Sequence, residues 1–188
     1  MRIIAGTFRG RRLATVGKAE KSTHLRPTTD RVRENLFNLL SSGRIGNGLT
    51  NARVLDLFSG TGALAFEALS RGASSIWMVD NGAKSAALVQ KNAMLFQTDA
   101  EVVFKKLDAT RLPNCPADPF DFIFLDPPYG KGLGDQALRQ ALDRGWIAPE
   151  AHVVWEEAAP MDAPAGFTAL DQRKYGDTYV TLLRRLAL

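Results

Sequence analysis

Val54-Leu55-Asp56-Leu57-Phe58-Ser59-Gly60-Thr61-Gly62 decides how this chain folds. An apolar run holding one acid ends in a glycine-rich turn, and a helical pattern opens directly after it, from Ala63 to about Arg71. That order is strand, loop, helix N-terminus. Gly72 stands where a helix-ending glycine belongs. The sign of the ligand's charge follows from Asp56. A dinucleotide loop offers backbone N–H groups and a helix N-terminus to a pyrophosphate, and an Asp at the strand end would oppose that dianion. S-adenosylmethionine carries an ammonium, a sulfonium and one carboxylate, so it is a net cation that an acid suits. The glycines let backbone approach it closely. The loop residues Phe58, Ser59, Gly60, Thr61 and Gly62, with Asp56, are therefore candidate cofactor contacts.

Outward from this stretch the pattern alternates. Ser75–Val79 is a second strand ending in Asp80, and Ala83 to about Phe96 a helix with Ala86, Ala87, Val89 and Leu95 as its apolar positions. Glu101–Lys105 is a third strand with Asp108 just beyond, and Phe120–Leu125 a fourth ending in Asp126. A helix from Gly134 to about Arg144, a fifth strand over His152–Trp155 and a closing hairpin (Phe167–Arg173 and Thr178–Arg184, turning at Tyr175-Gly176-Asp177) complete the domain. Strands alternating with helices imply an α/β fold, a parallel sheet with helices on both faces.

Ligands of such sheets sit at the carboxyl ends of the strands, near a topological switch. Each of the first four strands has an acid there: Asp56, Asp80, Asp108 and Asp126. Any one of them also reads as a helix cap or a surface charge; all four in phase point to one crevice. Asp80, 18 residues after Gly62, is placed for ribose hydroxyls, with Asn81 beside it. Asp108, followed by Ala109, is placed for the adenine amino group, and its structural alternative is a cap. Asp126-Pro127-Pro128-Tyr129 indicates the reaction. The lone pair of an exocyclic base amine is delocalised into the ring, and methylation makes that nitrogen tetrahedral and positive. The Asp126 carboxylate and Pro127 carbonyl can accept its hydrogens, the prolines stiffen the loop, and Tyr129 can stack on an extruded base.

The 188 residues carry a net charge of +4, unevenly spread. Residues 1–44 hold ten Arg/Lys against three Asp/Glu, while the remainder is net negative. A basic arm on a mildly acidic body suggests a polyanionic partner; a solvated charged terminus is the bland alternative. Residues 2–16 form a short hairpin in which Phe8 lies among arginines, available for stacking or for packing on the body. Arg26-Pro27-Thr28-Thr29-Asp30-Arg31-Val32-Arg33-Glu34 caps and starts a helix with Val32, Leu36, Phe37, Leu39 and Leu40 as its stripe. Arg31 and Arg33 cannot both fit that stripe. Arg2, Arg9, Arg11, Arg12, Arg26, Arg31 and Arg33 are the candidate RNA contacts, and residues 1–44 and 45–188 the extension and the catalytic domain. The single cysteine, Cys115, excludes an intramolecular disulfide and a Cys-rich zinc site; His24 and His152 have no ligand spacing. No metal is called for, because a sulfonium methyl is already activated. No run approaches the ~20 apolar residues of a membrane span, and a cytoplasmic setting is expected.

Asp-x-Phe-Ser-Gly-Thr-Gly followed by Asp-Pro-Pro-Tyr resembles the class I S-adenosylmethionine-dependent methyltransferases of exocyclic and amide nitrogens. Arg2-Ile3-Ile4-Ala5-Gly6, Arg9-Gly10-Arg11, the Arg26–Glu34 stretch and Leu69-Ser70-Arg71-Gly72-Ala73 resemble the RsmD family more narrowly. The resemblance implies a Rossmann-like, mostly parallel seven-stranded sheet with a C-terminal antiparallel hairpin and a small basic hairpin/helix extension. It implies methylation of a guanine N2 in 16S ribosomal RNA of the small subunit or its assembly intermediate; nothing in the sequence demands a dimer, and a monomer is expected. Asp80 stands where many relatives have Glu, and Ala65 and Phe66 also depart from the common pattern. The other readings are a DNA adenine-N6 or cytosine-N4 methyltransferase, a non-catalytic RNA-binding protein and, more distantly, an NAD-dependent oxidoreductase.

Overall fold

The computed structural model describes residues 1–15, 30–41, 49–98 and 100–187, with the side chains of Asp30 and Arg31 outside that description. The order is α1 (Asp30–Ser41), β1 (Arg53–Leu57), α2 (Ala63–Ser70), β2 (Ser75–Asp80), α3 (Ala83–Phe96), β3 (Val102–Lys106), β4 (Phe120–Leu125), α4 (Leu133–Asp143), β5 (Ile147–Glu157), β6 (Phe167–Tyr175) and β7 (Thr178–Arg185). They build one seven-stranded sheet, ordered β3-β2-β1-β4-β5-β7-β6. The first five strands are parallel; β7 enters antiparallel to β5, and β6 antiparallel to β7. The order reverses between β1 and β4, which is the switch point where such sheets bind ligands.

The two faces of the sheet follow from residue parity. Asp56 is in register with Met78 and with Phe124, and Phe124 with Val154. Side chains alternate along a strand, so Asp80, Asp126 and Glu156, each two residues beyond one of these partners, project to the same face as Asp56. That face buries Val54, Met78, Phe122, Phe124, Val154, Val180 and Leu182 against α1, α2 and α3. The opposite face buries Leu55, Leu57, Val79, Ile123, Leu125, Val153 and Trp155 beneath α4 and Trp146.

Within the described residues 1–15 the N-terminal segment closes through one antiparallel bridge, Arg2 with Arg12, rather than a full ladder. It is fastened to α2. Buried Glu67 accepts the N–H groups of Ile4 (2.7 Å) and Ala5 (3.0 Å) and pairs with Arg71 (2.8 Å). Thr7 N–H donates to the Ser70 carbonyl at 2.8 Å and Phe8 N–H to Ser70 Oγ at 2.9 Å. Gly6 is required here: its φ is +81°, and a Cβ would fall 1.7 Å from the Ser70 carbonyl oxygen. Ile3, Leu13, Leu36, Phe37 and Leu40 join the same buried cluster as β1 and α2, so the described part of residues 1–44 shares its core with the rest of the chain.

Two expectations, the apolar face of α3 and the extent of β5, need correction, and one open alternative, Phe8, is decided. On α3 the buried positions are Ser85, Val89, Asn92, Ala93 and Phe96, whereas Leu95 is 47% exposed. Polar Asn92 lies on the inward face because its amide meets backbone of the arm and of the glycine-rich loop. Phe8 packs on the body, stacked on Phe96 with centroids 5.2 Å apart. Finally, β5 starts five residues earlier than expected and runs past Trp155 through Glu156 and Glu157. Among the described residues no helix is long and apolar enough to cross a membrane.

Candidate active site

The glycine-rich loop is tied to β2 from both sides. Phe58 takes a left-handed backbone, φ 65°, and the N–H groups of Phe58 and Ser59 donate to the Val79 carbonyl at 2.9 and 3.1 Å. Asp80 accepts Gly60 N–H at 2.9 Å and Gly82 N–H at 2.7 Å. At Gly62, φ +75°, a Cβ would approach Met78 Sδ to 2.7 Å and the Phe66 ring to 3.1 Å. The Asn92 side chain donates to the Thr61 carbonyl at 3.2 Å and accepts Ala14 N–H at 2.7 Å, joining arm, α3 and loop through one amide.

Beneath the loop the carboxylates are short of partners. Asp56 is 1% exposed, and its Oδ2 has no hydrogen-bond partner. Burial raises its pKa well above the usual range, and the charges of Asp126 and Asp80 add to this against the Ala65 N–H. Glu156, also 1% exposed, has an unpartnered Oε1, and its pKa is likewise raised, by burial first and then by Asp126 and Asp56. Ser59 Oγ is buried without a partner too. Buried polar atoms are ordinarily paired; this group of unmet acceptors on one sheet face suits a ligand that brings cations and N–H or O–H donors.

The Asp126-Pro127-Pro128-Tyr129 segment follows β4 and is held from β5 and β7. Glu157 accepts Gly130 N–H at 3.0 Å, and the Tyr129 hydroxyl lies 3.4 Å from Thr178 Oγ1. Burial and the Asp126 charge push the Tyr129 phenol above its ordinary pKa and favour its protonated form. Pro127 is buried and Pro128 exposed. The Asp126 carboxylate lies close enough to Asp56, Glu156 and Tyr129 for its charge to act on all three.

Residues 1–184 match the family model described as Conserved hypothetical protein 95. Ribosomal RNA small subunit methyltransferase D of Haemophilus influenzae is 36% identical over 94% of this chain and 89% of its own length. The protein of that name from Escherichia coli K12 is 35% identical over 100% of this chain and 91% of its own. The chain belongs to the RsmD family. A solved structure of the Escherichia coli protein yhhF covers 100% of this chain and 99% of its own at 31% identity, with a TM-score of 0.82. The fold of this RsmD family member is the Rossmann-like class I fold, and the protein is a methyltransferase.

The other candidate residues of this methyltransferase fall unevenly. Asn81 is exposed beside Asp80. Asp108 caps the short 3-10 turn Ala109–Arg111, accepting Thr110 N–H at 2.9 Å and Thr110 Oγ1 at 2.7 Å, which lowers its pKa. Ala109 is buried, its side chain in the core. Arg2, Arg9, Arg11 and Arg12 are exposed on the arm, and Arg11 lies over Phe8 and Phe96. Arg26 lies outside the described residues, as does the Arg31 side chain. Arg33 overturns its assignment: it is fully buried, and its guanidinium donates to the Arg2 carbonyl. Helical spacing explains this. The inward positions are Arg33, Leu36, Phe37 and Leu40, an i, i+3, i+4, i+7 set, so Arg33 pins the arm instead of reaching outward.

Glu156, Glu157 and Thr178 escaped the sequence reading. The signal was present: an acid at the carboxyl end of a strand is the rule that picked out the other four. Ending the fifth strand at Trp155 left its acids in an unassigned loop.

Proposed function

We propose that this protein transfers the methyl group of S-adenosylmethionine to the exocyclic N2 of a guanine in 16S ribosomal RNA of the small subunit or its assembly intermediate. The observation that carries the reading is the set of carboxylates, Asp56, Asp80, Asp126 and Glu156, converging on one face at the switch point, next to a rigid Pro-Pro loop. The names of the curated relatives supply the substrate class.

The residues fit the donor. Unpartnered Asp56 Oδ2 and Ser59 Oγ are buried acceptors that a cationic amino acid moiety can satisfy, and Gly62 lets the loop pack directly on Met78 and Phe66, where any Cβ would clash. Asp80 spends its hydrogen bonds on Gly60 and Gly82, but each carboxylate oxygen can accept more than one, so ribose hydroxyls can share it. Asp108 and the Ala109 backbone border the adenine end. When bound, S-adenosylmethionine supplies an activated methyl group on a sulfonium. The chain's part is positioning and electrostatics. The Asp126 carboxylate and Pro127 carbonyl accept the amine hydrogens and hold the nitrogen lone pair toward the donor. As the nitrogen becomes cationic, Asp126 stabilises it and receives the departing proton. Tyr129 offers its ring for stacking on the extruded base. The exposed arginines of the arm, Arg2, Arg9, Arg11 and Arg12, contact RNA phosphates. A monomer suffices, and ribosomal RNA as substrate places the work in the cytoplasm.

Mass spectrometry of 16S ribosomal RNA from a strain lacking the gene tests this. One N2-methylguanosine should be missing and should return on incubation of the unmodified subunits with the protein and S-adenosylmethionine. An unchanged modification profile refutes the assignment.

A further inference from the structure

Outside the crevice, the same face of the sheet carries a second concavity of about 380 Å³, lined by Asn35, Asn38 and Leu39 of α1 and Arg173 and Tyr175 of β6. We infer that this cleft is a binding site for a nucleotide flanking the target base. The inference rests on the RNA reading above.

Its position comes from strand register. Tyr175 pairs with Thr178, and Arg173 with Val180. Val180 and Leu182 face the α1 side of the sheet, so Arg173, Tyr175 and Thr178 project to that side with Asp126 and Glu156. Thr178 Oγ1 is 3.4 Å from the Tyr129 hydroxyl. One strand pair therefore separates the cleft from the loop that receives the target amine.

Its chemistry is that of single-stranded RNA recognition, in which an unstacked base meets an aromatic ring, polar groups read its edge and a cation meets its phosphate. The half-buried Tyr175 ring packs at the border of the core cluster. Asn38 is exposed and Asn35 half-exposed, and each carboxamide offers both donors and acceptors to a base edge. Leu39, 6% exposed, forms an apolar floor. Arg173 is oriented by Asp171, which takes its Nε–H and lies 3.1 Å from Nη2. That fixes the plane of the guanidinium while leaving further N–H groups for a phosphate oxygen. The volume lies within the ~300–1,000 Å³ typical of small-ligand sites.

The test is equilibrium binding of unmodified small subunits, titrated over several salt concentrations, with S-adenosylmethionine affinity and thermal stability measured alongside. Arg173→Ala should weaken subunit binding several-fold and reduce the salt slope by about one. Asn38→Ala, a surface change that cannot empty the core, should weaken it about threefold, and Tyr175→Leu, which keeps apolar packing while removing the ring, roughly tenfold. Donor affinity should stay within twofold in all three. If wild type binds and methylates the subunits while Arg173→Ala and Asn38→Ala match it in affinity, salt slope and KM, the cleft inference falls alone. If wild type methylates no ribosomal RNA, the proposed function falls and takes the cleft with it. A loss confined to binding of a ribosomal protein, with RNA affinity unchanged, also overturns it.

Discussion

Glu67 and Glu156 are the same side chain, both buried, and they live in opposite circumstances. Glu67 is surrounded by donors: the N–H groups of Ile4 and Ala5 and the Arg71 guanidinium. Glu156 has an orphaned oxygen, two acidic neighbours and a raised pKa. A buried acid whose donors come from its own chain is structural, because the fold has matched it. A buried acid left short costs stability that nothing in the chain returns, and such a cost marks a place arranged for something from outside. Asp56 belongs with Glu156 in this contrast.

The sharpest break in the comparison is at Asp126, on the unmatched side. Asp126→Ala should lower kcat/KM by roughly 100- to 1,000-fold, with subunit affinity preserved in a binding titration. On the matched side, Glu67→Ala should cost about 3 kcal/mol in a denaturant titration, since it strands two N–H groups and a partly buried cation. Loss of turnover in that variant should track loss of fold. Glu156→Gln should do the reverse and stabilise the protein by about 1 kcal/mol near neutral pH, by removing a buried acid that folds only by holding its proton or carrying an uncompensated charge. The pH dependence follows from the direction of the shift. Above the ordinary carboxylate range and up to the raised folded value, the folded state keeps a proton that the unfolded chain has released. Wild-type stability therefore falls as pH rises through that window and stays lower above it, and the Gln variant should show a flatter profile. The smallest effect belongs to Tyr129→Phe. Its hydroxyl makes only the long 3.4 Å contact with Thr178, so stability should move by less than about 0.5 kcal/mol and methyl transfer should be nearly unchanged, because the ring is kept.

The sequence made the matched region harder to read than the unmatched one. The row of acids at strand ends is a local pattern: each strand announces itself by apolar residues, and the acid stands where they stop. Phe120–Leu125 was legible to the residue for that reason. Glu67 carries no such mark. It sits inside a helix among alanines and leucines, and only a segment more than sixty residues away in sequence gives it a purpose. Arg33 was misread for a related reason. A charged residue among other charges looks solvated, and choosing Val32 as the first stripe position turned the helix by one residue. Glu156 was missed because β5 is longer than its most apolar core, His152–Trp155, and polar residues within a strand beside β7 do not advertise a ladder.

Anyone building chimaeras within this family inherits a constraint from the way the arm is seated. Residues 1–15 cannot be exchanged as a free-standing module. A graft would need a receiving helix with an acid at the position of Glu67 and a small hydroxyl at that of Ser70, and a glycine of its own where Gly6 touches that helix. The sensible unit of exchange is the arm together with α2, into a host that keeps Arg33 on α1 and Asn92 and Phe96 on α3. Because α2 starts directly after Gly62, that transplant brings the end of the donor-facing loop along with it.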